Sequence, residues 1–123
     1  MGTGCLSVKR TQTEDYEFVV GLWEGGRIGT YRGLRAGKHG YGGTIFGDKG
    51  MAPVGNYGGY GPLVDEIIKF FKTGKVPVEA EETIEIFAFM SAADVSKSRG
   101  GRAVSVPDLI EKASKGKKSR RRR

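Results

Sequence analysis

Residues 79–101 form the most clearly specified segment of the chain, and they predict a long helix. Glutamates crowd its first turns, and Lys97 and Arg99 stand in its last, so the side-chain charges oppose the helix dipole at both ends. Gly100 and Gly101 then supply a stop signal. Apolar residues form two adjacent rows, which need cover on more than one side. We therefore predict that this helix is the central packing element of the fold, with no chemistry of its own. The first row consists of Ile84, Phe87, Ala88 and Ser91, and the second of Ile86, Phe89, Met90 and Ala93.

The segments that precede this helix alternate in the manner of strands. Residues 6–10 alternate at once, and residues 16–23 form a long strand with one strongly apolar row. Residues 24–26 supply glycines for a hairpin turn into a return strand at 27–35. A further strand of this antiparallel meander is predicted at about residues 41–46.

Two more helices complete the prediction. Pro62 suits a first helical position and Gly74 a helix end, so residues 62–73 predict an amphipathic helix. Ser105 begins a capping-box pattern that opens a short helix through about Ala113. Strands followed by helices indicate an α+β fold: an antiparallel meander of three to four strands, packed by two main helices and a short C-terminal one.

The charge of the chain is concentrated at its end. The formal charge is +7, from 21 basic and 14 acidic residues, and seven of the basic ones occupy the last nine positions. Without those seven, 14 basic residues balance 14 acidic ones. We therefore predict a neutral folded body over residues 1–114 and a disordered basic tail over 115–123, in a chain long enough for one domain. The tail residues that would bind polyanions are Lys115, Lys117, Lys118, Arg120, Arg121, Arg122 and Arg123.

Several classes of protein are disfavoured by what the sequence contains. The single Cys5 excludes an internal disulfide framework and fits a reducing compartment. With only one cysteine and one histidine, no zinc site is expected. No glycine pair is followed by a Walker-type lysine, which argues against a phosphate-binding loop. The N-terminus lacks a signal-like segment and no apolar run is long enough to span a membrane, so we predict a soluble cytoplasmic protein.

One basic cluster is a candidate substrate-binding site. Arg32, Arg35, Lys38 and His39 lie at the end of the return strand and in the turn after it. They could meet an anionic substrate or cofactor, although a solvated hairpin tip is the alternative that the base rate favours. If the strand is regular, Arg32 and Arg35 point to opposite faces of the sheet.

Four motifs, in order along the chain, carry a resemblance to a known family. They read GLWEGGRIGTYRG at 21–33, YGGTIFG at 41–47, FFKTGKVPV at 70–78 and ETIEIFAFMSAADVSK at 82–97. The succession resembles the C-terminal part of the Gfo/Idh/MocA oxidoreductases, named after glucose-fructose oxidoreductase and inositol dehydrogenase. The likeness covers roughly residues 4–113, and Val95 departs from it where an acidic residue is expected.

The resemblance implies a two-domain enzyme of which this chain is only the end. In that family an N-terminal Rossmann domain binds NAD or NADP. The C-terminal α/β domain carries a large open sheet that shapes the substrate pocket and mediates oligomer contacts. These 123 residues contain neither the dinucleotide fingerprint nor matches for the motifs that carry the catalytic lysine and histidine. We therefore expect the truncated C-terminal domain of an NAD(P)-dependent sugar or polyol-type oxidoreductase, with the Rossmann domain missing, inactive alone, and with no catalytic, cofactor-binding or metal-binding residue of its own.

A sheet cut in this way predicts an exposed edge and an exposed apolar face. We expect a homo-oligomer, or a companion chain that supplies the missing half. Two alternatives belong to other classes: a small basic nucleic-acid-binding protein that acts through residues 115–123, and a homo-oligomeric interaction module. The residues expected to have few partners within the chain are Tyr16, Phe18, Val20, Trp23 and Phe46.

Overall fold

The computed structural model describes residues 2–38, 40–54 and 57–120, with side chains up to Lys115. It confirms the α+β fold class. Two compact units are present: a sheet unit formed by Met1–Ala36 with Val78–Arg123, and a hairpin unit formed by Gly37–Pro77. In chain order the elements are β1 (Cys5–Gln12), β2 (Tyr16–Trp23), a 3₁₀ turn (Glu24–Gly26), β3 (Ile28–Leu34), β4 (Thr44–Gly47), β5 (Gly50–Pro53), α1 (Gly61–Thr73), α2 (Ala80–Ser98), β6 (Val104–Ser105) and α3 (Val106–Arg120).

The sheet unit contains a four-stranded antiparallel sheet in the order β3-β2-β1-β6. The predicted hairpin turn at residues 24–26 is confirmed, since Gly25 and Gly26 both adopt positive φ between β2 and β3. In the register, Val8 lies opposite Gly21, and Val19 lies opposite Tyr31. β6 reaches the far edge of β1 from the other end of the chain.

Helices α2 and α3 pack against β1 on one face of this sheet. Trp23 of β2 stacks on Phe89 of α2, with ring centroids 5.7 Å apart. Small side chains at Ala92 and Ala93 are buried, which lets α2 approach the strands closely. The buried apolar residues of this core are Cys5, Val8, Val19, Trp23, Ala92, Ala93, Val104 and Val106.

The ends of α2 follow the signals in the sequence. Glutamates stand in its first turn and Lys97 in its last. Gly100 and Gly101 have φ of 67° and 84°, and the Gly101 N–H donates to the Ser96 carbonyl at 2.8 Å. The predicted glycine stop is therefore confirmed, and it satisfies carbonyls that the last turn leaves free.

Helix α3 begins as predicted and ends later. The Asp108 N–H donates to the Ser105 hydroxyl at 3.3 Å, which is the N-terminal cap that the sequence indicates. The helix then continues to Arg120, so the predicted end near Ala113 is wrong. Lysine and arginine are good helix formers, and a Glu111–Lys115 ion pair spans one turn of the continuation. Residues 121–123 lie outside the described residues.

The hairpin unit corrects one prediction. β4 pairs with β5 in a two-stranded antiparallel sheet of its own, and does not extend the meander of the sheet unit. A tight turn between Gly47 and Gly50 brings β5 next to β4. Closing this short loop costs less entropy than pairing β4 with a strand farther away in the sequence. Helix α1 ends as predicted at Gly74, whose N–H donates to the Phe70 carbonyl at 2.8 Å.

In the part of the chain that the structure describes, the helices are too short or too polar to cross a lipid bilayer.

Candidate functional site

The face of the sheet opposite α2 is the main candidate site. Alternation along β2 turns Val19, Gly21 and Trp23 toward the helix and leaves the intervening residues on the other side. Residues opposite one another in an antiparallel sheet share a face, so the register extends this surface across three strands. We call it the open face; its residues are Ser7, Lys9, Thr11, Tyr16, Phe18, Val20, Leu22, Ile28, Thr30, Arg32 and Leu34.

The open face is apolar at its centre and exposed. Phe18, Leu22 and Ile28 are 44%, 45% and 64% exposed, and Tyr16 and Leu34 are similar. The low burial expected for Tyr16 and Phe18 is thus confirmed. For Trp23 the expectation is wrong, because its indole points to the other face and is buried against Phe89. A contiguous apolar surface of this kind is typical of a protein interface.

The charge on the open face has one sign. Lys9 lies beside Val20, and Arg32 lies beside Phe18, while no carboxylate belongs to the open face. The Arg32 guanidinium lies 5.5 Å from the centre of the Tyr16 ring, within cation–π range. The surface is therefore apolar and bordered by cations.

The structure separates two members of the predicted basic cluster, Arg32 and Arg35. Arg32 lies on the open face, whereas Arg35 donates to the carbonyls of Thr13 and Glu14 and so holds the turn between β1 and β2. The two side chains point to opposite sides of the sheet, as predicted. Lys38 belongs to the hairpin unit and is exposed, and His39 lies outside the described residues.

The basic tail is described only at its start. Lys115 forms an ion pair with Glu111 on the surface of α3. The side chains of Lys117, Lys118 and Arg120, and all of Arg121, Arg122 and Arg123, lie outside the described residues. Polyanion binding by this segment stays a prediction.

A small cavity lies at the N-terminal half of α2, beside the first residues of the chain. Its volume is about 250 Å³, and Trp23, Phe89 and Met90 give it an apolar wall. The Glu85 carboxylate accepts the N–H groups of Gly4 and Cys5, each at 2.8 Å. Both carboxylate oxygens are therefore engaged in holding the strand, which leaves this group a structural role.

Burial raises the pKa of the Cys5 thiol, and the nearby Glu85 carboxylate raises it further. A thiol that is buried and hard to ionise is a poor nucleophile. We therefore interpret Cys5 as a small buried hydrophobe and not as a reactive group.

An ion-pair network that no sequence pattern indicates joins β1 to α2. Arg10 pairs with Glu17 on the neighbouring strand and with Asp94 on α2, the latter at 2.8 Å. The Arg10 side chain is only 11% exposed. Arg10 and Asp94 are 84 positions apart, so no local pattern could have shown that they meet.

Groups of three or more His, Cys, Asp or Glu side chains suited to a metal ion do not occur among the described residues. No family model, no curated protein sequence and no solved structure matches this chain.

Proposed function

We propose that this chain is part of the C-terminal, open-sheet domain of an NAD(P)-dependent sugar or polyol-type oxidoreductase, and that its role is contact with another chain. The observation that carries the proposal is the exposed apolar open face. It includes Phe18 and Leu22 at the centre of a sheet whose other face is covered by α2 and α3. A one-sided sheet with an apolar outer face is what the four motifs imply for oligomer contacts.

The proposal assigns no hydride transfer to these residues. NAD or NADP would be held by another domain or by a companion chain, and the open face would associate with that companion or with a second copy. Burial of an apolar surface supplies the free energy for such contacts, because each Å² removed from water stabilises the complex by about 25 cal/mol before the costs of association.

The contact can be tested by placing a charge at its centre. Phe18→Glu introduces a carboxylate into the open face, and Ser91→Glu on the exposed side of α2 is the matched control. We expect sedimentation velocity to show a lower assembly mass for Phe18→Glu and an unchanged mass for Ser91→Glu. Equal masses for wild type and both variants would rule out the open face as the contact.

The link to an oxidoreductase needs a separate experiment. The untagged chain, captured from its native cells with an antibody against α2, should be found either in a polypeptide larger than 13.3 kDa or together with a companion that binds NAD or NADP. Intact-mass spectrometry identifies the first case. Retention on a dinucleotide resin that is lost with Phe18→Glu identifies the second. A chain of 13.3 kDa without a dinucleotide-binding companion would contradict the proposal.

A second candidate function is polyanion binding by residues 115–123. It is favoured by the concentration of seven basic residues there beside a formally neutral body. Deletion of these nine residues should abolish binding to single-stranded DNA at low salt and leave the assembly mass unchanged. Undiminished DNA binding by the shortened chain would exclude the tail as the binding segment.

A further inference from the structure

We propose that the free edge of β3 pairs with β3 of a second copy of this chain, antiparallel and centred on Tyr31. β3 spans seven residues and forms one edge of the four-stranded sheet. The edge contact differs from the open-face contact proposed above, and neither depends on the other.

The first step is to establish which backbone groups of β3 point outward. The Trp23 N–H donates to the Arg27 carbonyl at 2.8 Å, just before β3 begins. The Arg35 N–H donates to the Asp15 carbonyl at 2.9 Å, just after it ends. Because hydrogen-bonded pairs alternate along an antiparallel ladder, the odd-numbered residues between these two bonds face β2. The residues whose N–H and C=O groups point away from β2 are Ile28, Thr30, Arg32 and Leu34.

These outward groups have no hydrogen-bond partner among the described residues. Natural sheets usually protect such an edge with proline, lysine, a bulge or a covering segment. β3 contains neither proline nor lysine, and its register with β2 runs without a shift. It is a long, regular edge that can accept another strand.

The sequence of β3 complements itself in one antiparallel register. An apolar residue meets an apolar residue at both ends, glycine meets glycine, and no two like charges are opposed. The Tyr31 rings come together at the two-fold axis, which accounts for a tyrosine that is 56% exposed in the single chain. The pairs are Ile28 with Leu34, Gly29 with Gly33, Thr30 with Arg32, and Tyr31 with its own symmetry mate.

Other registers are less favourable. If the register shifted by one residue, each residue whose backbone groups point outward would lie opposite a residue whose backbone groups already bond to β2. The hydrogen-bond ladder between the two copies could then not form. A shift by two residues shortens the ladder. In one direction it sets Arg32 opposite Arg32, and in the other it sets Arg32 opposite Ile28. The register centred on Tyr31 pairs all seven residues of β3 and yields a continuous eight-stranded sheet.

A cysteine at the two-fold axis tests this register directly. Tyr31 occupies a non-hydrogen-bonded pair, in which Cα atoms lie about 4.5 Å apart. That separation allows a disulfide. Tyr31→Cys should therefore form a covalent dimer under mild oxidation, whereas Ile28→Cys, which faces Leu34, should not. The native Cys5 is buried and should not contribute. Equal cross-linking by the two variants, or none by Tyr31→Cys, would overturn the proposal.

A charge pair tests the same contact without a covalent bond. Thr30 faces Arg32 of the other copy twice in each dimer, so Thr30→Glu should tighten the pair and Thr30→Lys should weaken it. We expect the dimer dissociation constants of the two variants to differ by about tenfold, measured by sedimentation equilibrium. The measurement is made in a Leu22→Glu background, which places its charge on the open face beside Ile28 and not beside Arg32, so that open-face contacts do not contribute. Monomeric protein in both variants, or equal constants, would contradict the edge contact.

Discussion

The sheet unit and the hairpin unit contain similar apolar residues, and only the sheet unit buries them. In residues 1–36 and 78–115, strands and helices cover one another around Val8, Trp23 and Ala92. In the described residues of 37–77, no side chain is buried, although α1 is more strongly amphipathic than α2. Phe46 in the β4–β5 hairpin is 75% exposed.

The contrast teaches what an apolar pattern can and cannot specify. Periodicity decides which side of α1 is apolar. It also predicts two apolar rows on α2 that need cover, but Ile84, Ile86 and Phe87 of those rows are exposed. Burial also requires a second layer to cover that side. The stability of the chain should therefore reside in the sheet unit, with substitutions in the hairpin unit having small effects. The predictions that follow pair a substitution in the sheet unit with a matched control.

The largest effect is expected from Trp23→Ala. The indole is buried and stacks on Phe89, so its removal leaves a large cavity in the core. We expect the free energy of unfolding to fall by about 4 kcal/mol. Phe46→Ala in the hairpin unit should change it by less than about 0.5 kcal/mol. Urea titration followed by circular dichroism measures both, and similar losses would show that the hairpin unit carries as much of the core.

The next effect is expected from Ser96→Ala. The fully buried Ser96 hydroxyl accepts the Arg10 N–H at 2.9 Å and donates to the Arg102 carbonyl at 2.7 Å. Without the hydroxyl both backbone groups lose their partner inside the protein, at a total cost of about 3 kcal/mol. Ser98→Ala removes an exposed hydroxyl on the same helix and should cost under about 1 kcal/mol. The ratio of the two losses measures how far this polar contact is shielded from water.

Gly21→Ala tests how closely the two layers approach. A Cβ atom at Gly21 would lie 2.5 Å from the Trp23 ring and 2.8 Å from the Phe89 ring. The rings must shift to make room, so we expect the free energy of unfolding to fall by about 2 kcal/mol. The control is Gly42→Ala in the hairpin unit, where an added Cβ meets nothing within 4 Å. The urea concentration at the midpoint of unfolding should hardly change for this variant. An unchanged midpoint for both variants would show that the core relaxes freely around β2.

Local signals predicted most of the individual elements of this fold. Capping at Ser105, the glycine stop after α2 and the turn at Gly25 each depend on residues within a few positions. The helices and the β2–β3 hairpin therefore follow from the sequence with only small errors in their limits, apart from the late end of α3.

The partners of the elements could not be predicted in the same way. Alternation places Phe18 and Trp23 on opposite faces of β2, but it does not indicate which face a helix covers; the packing of Trp23 on Phe89 decides that. Likewise, no residue near Arg10 in the sequence indicates that Arg10 pairs with Asp94. The exposed sheet face is predicted from the family resemblance, which implies a sheet cut in the middle. The substrate site assigned to Arg32, Arg35, Lys38 and His39 stays a prediction, since Arg32 lies over Tyr16 and Arg35 holds the turn after β1.

The smallest effect is a pH dependence that arises at Cys5. Burial, and after it the Glu85 carboxylate, raises the pKa of this thiol above its ordinary value of 9.0. At neutral pH the thiol is protonated in both the folded and the unfolded chain and contributes no pH dependence. Above pH 9.0 the unfolded thiol loses its proton first, so the stability of the folded chain falls as pH rises.

Comparison with a cysteine in the hairpin unit isolates this contribution. The free energy of unfolding of the wild type, minus that of Cys5→Ala, should decrease above the ordinary thiol pKa, by less than any of the three losses above. In a Cys5→Ala background, Met51→Cys should show no such decrease relative to Cys5→Ala alone, because Met51 is exposed and its replacement titrates alike in both states. Iodoacetamide should also modify the new thiol far faster than Cys5. If the two cysteines behave alike, the first strand of the sheet unit opens as readily as the hairpin unit, and the difference in stability between the units is lost at β1.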